Sequence, residues 1–254
     1  NKGFMWFGTW DGLNRYDGYD FKIYNKQNGL SNTTIRSLLE DNENNIWIGT
    51  ENGINILDLN TGDISIMKNI YGENNSLSNN FINQIYRDKD GYFWFCTSRG
   101  LNKYDKESGS FTHYYFYSDD ADSIRSNWIN KIMQDQKGNM WIATNHGLFC
   151  YHVETKTFIP YFNKPSENSI SDNQINDVYQ TEDGYIWIAS RNGLNRMDPE
   201  TEKIKSYFHD YRNPKSISNN HVTCLFQDSY GVFWIGTKDK VNQYHPENGT
   251  FTKY

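Results

Sequence analysis

Cysteine, proline and long apolar runs are scarce in this sequence. Among 254 residues there are 3 cysteines and 5 prolines, and no stretch approaches the roughly 18 consecutive apolar residues of a transmembrane helix. The cysteines, Cys96, Cys150 and Cys224, are odd in number and far apart, which argues against a disulfide framework and leaves the redox compartment open. We expect each of them to be a small buried side chain. The chain opens without a signal peptide, so any membrane attachment is expected to lie outside it.

Runs of basic residues are also missing, and the formal net charge is −6. A nucleic-acid-binding surface needs clustered lysine and arginine to neutralise phosphates. Nucleic acid is therefore not an expected partner.

Motifs that carry catalysis or metal binding are absent from the sequence. It contains no G-x-S-x-G, H-E-x-x-H, Walker-type loop or C-x-x-C, and its 6 histidines share no metal-ligand spacing. The acidic segment SDDADS at 118–123 lacks the spacing of a calcium-binding EF-hand loop and is interpreted as a solvated loop. The sequence thus predicts no catalytic residues, no metal and no cofactor. Glycoside cleavage by paired carboxylates is disfavoured but stays open, because a sequence does not show their separation.

Aromatic residues are abundant: 19 Tyr, 15 Phe and 8 Trp. These side chains bury large apolar surfaces that disordered chains lack, so we expect a folded protein with an aromatic core. Six of the tryptophans follow one another at spacings of 41, 47, 47, 46 and 47 residues, in similar surroundings such as NIWIGTENGINILD and YIWIASRNGLNRMD. They are Trp6, Trp47, Trp94, Trp141, Trp187 and Trp234. A period of this length is typical of repeat architectures.

Each repeat contains four short segments with strand-like composition, separated by turn residues. In the third repeat they are FINQIYRD, YFWFCT, LNKYD and SFTHYY. Four-stranded units of about 47 residues are typical of β-propeller blades, so the sequence predicts an all-β propeller region over residues 1–254. The first repeat has no counterpart of the first strand. We therefore expect five full blades and three strands of another, in an incomplete ring.

The repeated tryptophans are interpreted as core. The residue two positions after each is always small, and alternation along the strand puts both on one face. We expect an indole of one blade to fill the gap that this small residue leaves in its neighbour. The aspartate six residues before the tryptophan, as in Asp41, Asp88, Asp135 and Asp228, is predicted to accept hydrogen bonds from the tight turn that follows it. Trp10 and Trp128 fall outside the repeat and are free to serve another role.

The combination of NSLS, D-x-x-G-x-x-W-I-G-T and GLNxYD resembles the two-component regulator propeller repeats over essentially the whole chain. Such repeats form periplasmic sensor regions of hybrid two-component systems from glycan-degrading bacteria, ahead of an immunoglobulin-like domain, a membrane helix and a histidine kinase. The resemblance implies that this chain is the N-terminal part of a larger, inner-membrane-anchored periplasmic sensor. It implies an oligosaccharide ligand but assigns no binding residues. The last repeat departs from the pattern, because Lys240 stands where the others have glycine, and we expect a distorted turn there.

Binding residues are expected at positions that vary among the repeats, on loops held by the rigid scaffold. In a propeller blade, the turn between the second and third strands and the start of the first strand share one face. The candidate ligand-binding residues at these positions are Trp10, Arg99, Trp128, His146, Arg191 and Lys238. Arginine can hold a carboxylate or sulfate bidentately, and an exposed indole can stack on a sugar ring. An acidic or sulfated oligosaccharide is therefore the expected ligand class.

The predicted function is a non-enzymatic sensor propeller that binds, or helps to bind, an oligosaccharide and relays the signal to a histidine kinase outside this chain. Two other interpretations remain open. One is a protein-interaction scaffold that forms a homodimer and has its ligand bound elsewhere. The other is a propeller glycosidase or polysaccharide lyase.

Overall fold

The computed structural model describes residues 3–116, 127–164 and 167–254. The SDDADS segment, interpreted above as a solvated loop, lies outside these ranges. The described residues form β-strands and one short 3-10 helix, Lys26–Asn28. The strands pair into antiparallel sheets in chain order, which we call blades 1 to 6. The chain divides into two compact units, Asn1–Ile129 and Asn130–Tyr254.

The first unit holds blades 1 to 3. Blade 1 has three strands, β1 (Met5–Thr9), β2 (Gly12–Tyr16) and β3 (Phe21–Tyr24). Blade 2 has four, β4 (Ile35–Glu40), β5 (Asn45–Thr50), β6 (Gly53–Asp58) and β7 (Ile64–Met67). Blade 3 has β8 (Ile82–Arg87), β9 (Phe93–Thr97), β10 (Gly100–Asp105) and β11 (Ser110–Tyr114).

The second unit holds blades 4 to 6, each of four strands. Blade 4 comprises β12 (Ile129–Gln134), β13 (Met140–Thr144), β14 (Gly147–His152) and β15 (Thr157–Tyr161). Blade 5 comprises β16 (Ile175–Gln180), β17 (Ile186–Ser190), β18 (Gly193–Met197) and β19 (Ile204–Tyr207). Blade 6 comprises β20 (Val222–Gln227), β21 (Phe233–Thr237), β22 (Val241–His245) and β23 (Thr250–Lys253). The predicted strand organisation is confirmed in the described residues.

In blades 2, 3, 4 and 6 an aspartate closes the turn between the first and second strands, as predicted. In blade 2 the Asp41 carboxylate accepts hydrogen bonds from the amides of Glu43 and Asn45, both at 2.9 Å. It also accepts one from the indole Nε1 of Trp47 at 2.9 Å, which sequence reasoning missed. The same indole bond, at 2.7–2.9 Å, joins Trp94 to Asp88, Trp141 to Asp135 and Trp234 to Asp228. The aspartate thus ties the turn to the core.

Repeated tryptophans form the core between successive blades of a unit. Trp47 is 1% exposed, and its ring stacks on Phe93 of blade 3 with 4.3 Å between centroids. Trp6 and Trp234 were predicted to be core residues but are only half-buried. Trp234 belongs to blade 6, the last blade of the second unit in chain order. The other buried members are Trp94, Trp141 and Trp187.

In blades 1 and 2 the glycine two positions after the tryptophan makes room for an isoleucine. A Cβ at Gly49 would lie 2.8 Å from Cγ2 of Ile82, and one at Gly8 would lie 2.6 Å from Cγ2 of Ile35. Both isoleucines begin the first strand of the next blade. The prediction that an indole fills this gap is therefore wrong, because the first strand of the neighbour reaches it and the second does not.

A buried asparagine connects two of the sequence motifs. In blade 2, Asn55 accepts a hydrogen bond from the amide of Ser31 at 2.8 Å and donates one to the Ser31 hydroxyl at 2.9 Å. The asparagine occupies the third position of the GLNxYD motif, which reads GIN at 53–55. The serine occupies the last position of the NSLS motif, which reads NGLS at 28–31. The equivalent pairs are Asn102 with Ser78, Asn195 with Ser171 and Asn242 with Ser218. In the sequence of the blade 4 repeat both partners are replaced, by Phe149 and Arg125.

The cysteines differ from one another in burial. Cys96 and Cys150 are buried as predicted, and burial raises the pKa of the Cys150 thiol to about 12. Cys224 is exposed, contrary to the prediction. It lies on β20, the first strand of blade 6, and no further blade of its unit packs over that strand.

Candidate functional site

The sequence-predicted site residues lie where the second strand of a blade turns into the third or where the first strand begins, which we call the 2–3 edge. Within a blade these two positions are joined by a backbone hydrogen bond. The bonds run from Ser98 N to Phe81 O at 3.2 Å, from Arg191 N to Gln174 O at 2.9 Å and from Lys238 N to His221 O at 3.0 Å. The two variable sets of positions are therefore adjacent, as expected.

A glycine in the same turn connects one blade to the next. Gly100 N donates to Asn127 O at 2.7 Å, and Gly147 N donates to Asn173 O at 2.6 Å. Gly100 has a φ of +113°, and a Cβ there would lie 2.9 Å from the Tyr115 ring, so only glycine fits. The turn that holds Gly100 therefore lies next to Trp128, and the turn that holds Gly147 lies next to Gln174.

We define the aromatic–arginine cluster as four residues of the first unit, of which three contact one another in a row and one, Arg99, lies in the neighbouring turn: Arg36, Phe81, Arg99 and Trp128. The Arg36 guanidinium lies 4.8 Å from the centroid of the Phe81 ring, and that ring lies 5.2 Å from the Trp128 ring. Arg99 is exposed. The backbone hydrogen bond from Gly100 to Asn127 holds the turn that carries Arg99 next to Trp128. Trp128 is half-buried, which leaves part of its indole open to solvent. The structure thus brings Arg99 and Trp128 together.

Trp10 lies at the 2–3 edge of blade 1 and is 81% exposed. The structure describes no contact between it and the aromatic–arginine cluster.

Two of the predicted residues of the second unit, His146 and Arg191, lie in the turns next to Gln174. The Arg191 guanidinium donates to Gln174 Oε1 at 2.9 Å. His146 precedes Gly147, whose amide bonds the residue before Gln174, and its ring packs edge-on against Phe162 at 6.1 Å. Arg191 thus contacts the Gln174 side chain directly, whereas His146 lies in the turn whose backbone bonds the residue before Gln174.

Lys238 lies in the altered turn of blade 6, and it is exposed. The strands on either side of this turn pair only at Trp234–Gln243, Ile235–Asn242 and Gly236–Val241. The corresponding strands of blade 5 pair over five positions. The distortion that Lys240 predicts is thereby confirmed.

Sequence reasoning missed Arg36 and a row of asparagines on the first strands. Asn83 Nδ2 donates to the carbonyl oxygen of Ile129, the last residue of the first unit, at 2.8 Å. The equivalent bonds, both at 2.7 Å, join Asn130 to Ile175 and Asn176 to Val222. A signal for them was present, because asparagine follows the first isoleucine of the strand in FINQ, WINK and QIND.

Asp177 is a buried charge on the first strand of blade 5. Its carboxylate accepts hydrogen bonds from the amides of Val178 at 2.8 Å and Leu225 at 3.0 Å, and it lies 3.6 Å from Lys131 Nζ. Burial raises the pKa of Asp177, although Lys131 and the two amides oppose that change. These contacts tie together the first strands of blades 4, 5 and 6.

Clefts open at the opposite edge of the blades, which we call the 1–2 edge because the first strand turns into the second there. The cleft between blades 2 and 3 has a volume of about 530 Å³ and is lined by Asp41, Glu43 and Lys106, among others. Lys106 Nζ lies 3.1 Å from Asp41 and 2.7 Å from Glu43. Burial alone would lower the pKa of Lys106, but hydrogen bonds to Glu43 and Asp41 raise it. Two further clefts, between blades 4 and 5 and between blades 5 and 6, were not expected from the sequence.

The described residues contain no group of three or more His, Cys, Asp or Glu side chains that could hold a metal ion. None of their helices is long and apolar enough to cross a bilayer.

The repeated sheets, their shared aspartate turn and their packing define a protein built of β-propeller blades. Five segments match the family model described as two component regulator propeller, at residues 29–52, 76–99, 123–146, 169–192 and 216–239. The chain therefore carries the repeats of the two-component regulator propeller family, as its motifs indicated. No curated protein sequence matches it.

Solved structures with a similar fold include extracellular domains of two B. thetaiotaomicron proteins described as hybrid two-component systems. The domain of BT4673 is 21% identical with a TM-score of 0.69, over 99% of this chain and 42% of that one. The domain of BT3049 is 25% identical with a TM-score of 0.55, over 93% of this chain and 37% of that one. An inactive virginiamycin B lyase variant from Staphylococcus aureus has a TM-score of 0.72 at 13% identity, over 100% and 81% of the two chains. The likeness to BT4673 and to the lyase shows the fold alone, and this chain spans less than half the length of the sensor domains.

Proposed function

We propose that this chain is part of the extracellular sensor region of a hybrid two-component system and that it binds an acidic or sulfated oligosaccharide. The propeller repeats and the likeness to the domains of BT4673 and BT3049 support the sensor role. In this proposal the sensor lies in the periplasm and is anchored in the inner membrane by further domains of the same polypeptide. One of those domains is a histidine kinase, which receives the binding signal.

The observation that carries ligand binding is the aromatic–arginine cluster. It combines a half-buried indole, Trp128, with an exposed arginine, Arg99, in a neighbouring turn that a backbone hydrogen bond from Gly100 to Asn127 holds beside it. Sugar rings have an apolar face that stacks on an indole, and a guanidinium fork matches the two oxygens of a carboxylate or sulfate. The Phe81 ring supports Trp128 from one side, at 5.2 Å between centroids. The cluster therefore has both kinds of contact that an acidic sugar requires.

Calorimetry on the complete sensor region tests this proposal, with a heparin oligosaccharide and an oligogalacturonate as probes. We expect Trp128→Ala and Arg99→Ala each to weaken binding of at least one probe by about 1 to 3 kcal/mol. Arg99→Ala should also reduce the dependence of binding on salt, because an exposed ion contact is screened whereas stacking is not. Lys89→Ala is the matched control, since it removes one exposed positive charge from the opposite edge of the same blade and should leave both affinities unchanged.

Unchanged affinity in both cluster variants would contradict this site and favour a scaffold with its ligand bound elsewhere. A homodimeric scaffold would in addition sediment as a dimer that the two substitutions weaken. A glycosidase or lyase would give sustained heat after each injection, because turnover continues until the probe is consumed, whereas simple binding gives discrete heats. The lyase likeness at 13% identity carries no catalytic residues to this chain.

A further inference from the structure

Blade 5 lacks the aspartate that receives the indole hydrogen bond in the other four-stranded blades. Thr181 takes its place, and its hydroxyl donates to the Asp183 carboxylate and to the carbonyl of Tyr185. Trp187 is 1% exposed, and its Nε1 has no hydrogen-bond partner in the described part of the chain. An unpartnered buried N–H carries a substantial free-energy cost, so this donor needs an acceptor from elsewhere.

The position of the missing acceptor faces a cleft. In blades 2 and 4 the equivalent aspartates, Asp41 and Asp135, bond the indole and line the clefts of the 1–2 edge. In blade 5 both Thr181 and Trp187 line the cleft toward blade 6, which has a volume of about 590 Å³. Threonine has no carboxylate to offer the indole, and the buried Trp187 Nε1 belongs to a residue that lines this cleft. A ligand that takes the position of the missing carboxylate oxygen would supply the acceptor.

The other residues of the cleft favour a neutral polar ligand. Glu182 and Glu247 supply carboxylates, and the Tyr230 ring is 91% exposed beside them. No lysine or arginine lines this cleft in the described structure. The nearby Arg196 guanidinium is already used, because it lies 4.0 Å from the Tyr185 ring centroid and donates to the Tyr244 hydroxyl. An anion would meet several carboxylates here, of which only Glu247 lies near a basic side chain of the lining, 3.7 Å from His245 Nδ1. Hydroxyl groups, by contrast, can accept from the indole and donate to the glutamates.

We propose that the cleft between blades 5 and 6 binds a neutral polyhydroxylated ligand, a sugar unit, through a hydrogen bond from Trp187 Nε1 to one of its hydroxyl oxygens. The carbon face of the ligand packs on Tyr230, and its other hydroxyls donate to Glu182 or Glu247. The site lies at the opposite edge of the blade from the sequence-predicted residues and takes an uncharged ligand. The test of this site is therefore independent of the test of the proposed function.

Indole N–H signals in ¹H–¹⁵N NMR spectra of the whole chain test this site. The probes are D-glucose, D-galactose and N-acetyl-D-glucosamine, with D-glucuronate as the anionic comparison. We expect at least one neutral sugar to shift the Trp187 indole signal, and D-glucuronate to bind more weakly. Thr181→Asp restores the acceptor and should move the Trp187 signal without sugar, which identifies it. The same variant should lower the affinity for the sugar about tenfold or more, which corresponds to one lost hydrogen bond.

Thr155→Asp is the matched control, because it adds the same charge at an exposed turn of blade 4 and should leave the sugar response unchanged. Thr181→Asn serves as a second acceptor-restoring variant that adds no charge, should the aspartate prevent folding. The proposal is overturned if no neutral sugar shifts the Trp187 signal up to its solubility limit. It is equally overturned if acceptor-restoring variants bind the sugar as tightly as the parent, or if D-glucuronate binds more tightly than every neutral probe.

Discussion

At the scale of single residues, tryptophan has different roles in this chain according to its place in the repeat. Trp141 is 3% exposed and donates its indole N–H to Asp135, whereas Trp10 is 81% exposed. Trp141 contributes apolar burial and a hydrogen bond to the core, whereas the exposed Trp10 contributes no comparable burial. The same side chain can therefore be compared in two environments within one protein.

We expect Trp141→Ala to destabilise the protein by roughly 3 to 5 kcal/mol, because it leaves a large cavity between blades 4 and 5. Trp10→Ala is the control and should change stability by about 0.5 kcal/mol or less, as exposed substitutions usually do. Urea unfolding followed by circular dichroism measures both. Midpoints for the two variants that agree within error would show that the repeated tryptophan is not core.

At the scale of the element, the aspartate turn connects a hairpin to the core and makes its stability depend on pH. Burial alone would raise the pKa of Asp41, but hydrogen bonds from Trp47, Asn45 and Lys106 hold that pKa below its usual value. The indole of Trp234 likewise lowers the pKa of Asp228. A carboxyl whose pKa is lower in the folded state stabilises the fold while it is ionised. That stabilisation is complete above the pKa of the unfolded chain and is lost as the pH falls towards the folded-state value.

The protein should therefore lose stability below about pH 4, the ordinary range of an aspartate in an unfolded chain. Asp41→Asn keeps an acceptor for the indole and removes the titrating group, so its stability should fall less steeply over the same acid range. Thermal melts from neutral pH downwards measure the two slopes. Parallel curves for the parent and the variant would contradict the assignment of acid sensitivity to this turn.

Sequence reasoning succeeded for elements that repeat and failed where the outcome depends on neighbouring blades. The strands follow from short-range patterns that recur from blade to blade, and the aspartate turn follows from one that recurs in blades 2, 3, 4 and 6, so one sequence contains several copies of the same evidence. The isoleucine that fills the gap at Gly49 belongs to the next blade, and the pattern within a repeat does not identify it. The exposure of Cys224 has the same cause, because it depends on which strand packs over β20.

The candidate site shows the same limit. Arg99 and Trp128 were predicted from their variable positions, and backbone bonds place them side by side. Arg36 was missed because it occupies no position where cations recur, and its contacts with Phe81 and with the Glu51 carboxylate, at 3.6 Å, are visible only in the structure. Thr181 was visible in the sequence as a departure from aspartate, but its consequence for Trp187 required the geometry of the cleft.

At the scale of the whole molecule, two edges of the blades offer different chemistry. The 2–3 edge of the first unit combines arginine with exposed aromatic surface, and the cleft of the second unit combines carboxylates with an unpartnered indole. Cations at the first and carboxylates at the second favour ligands of different charge. A glycan sensor with both sites would distinguish the charged groups of a polysaccharide from its neutral units.

Binding of an acidic or sulfated oligosaccharide at the aromatic–arginine cluster is tested most directly by crystallography. Crystals of the complete sensor region would be soaked with the heparin oligosaccharide or the oligogalacturonate. We expect a sugar ring stacked on the Trp128 indole, with its sulfate or carboxylate within hydrogen-bond distance of the Arg99 guanidinium. Sugar density in another place, with the aromatic–arginine cluster empty or covered by a second copy of the chain, would contradict this expectation.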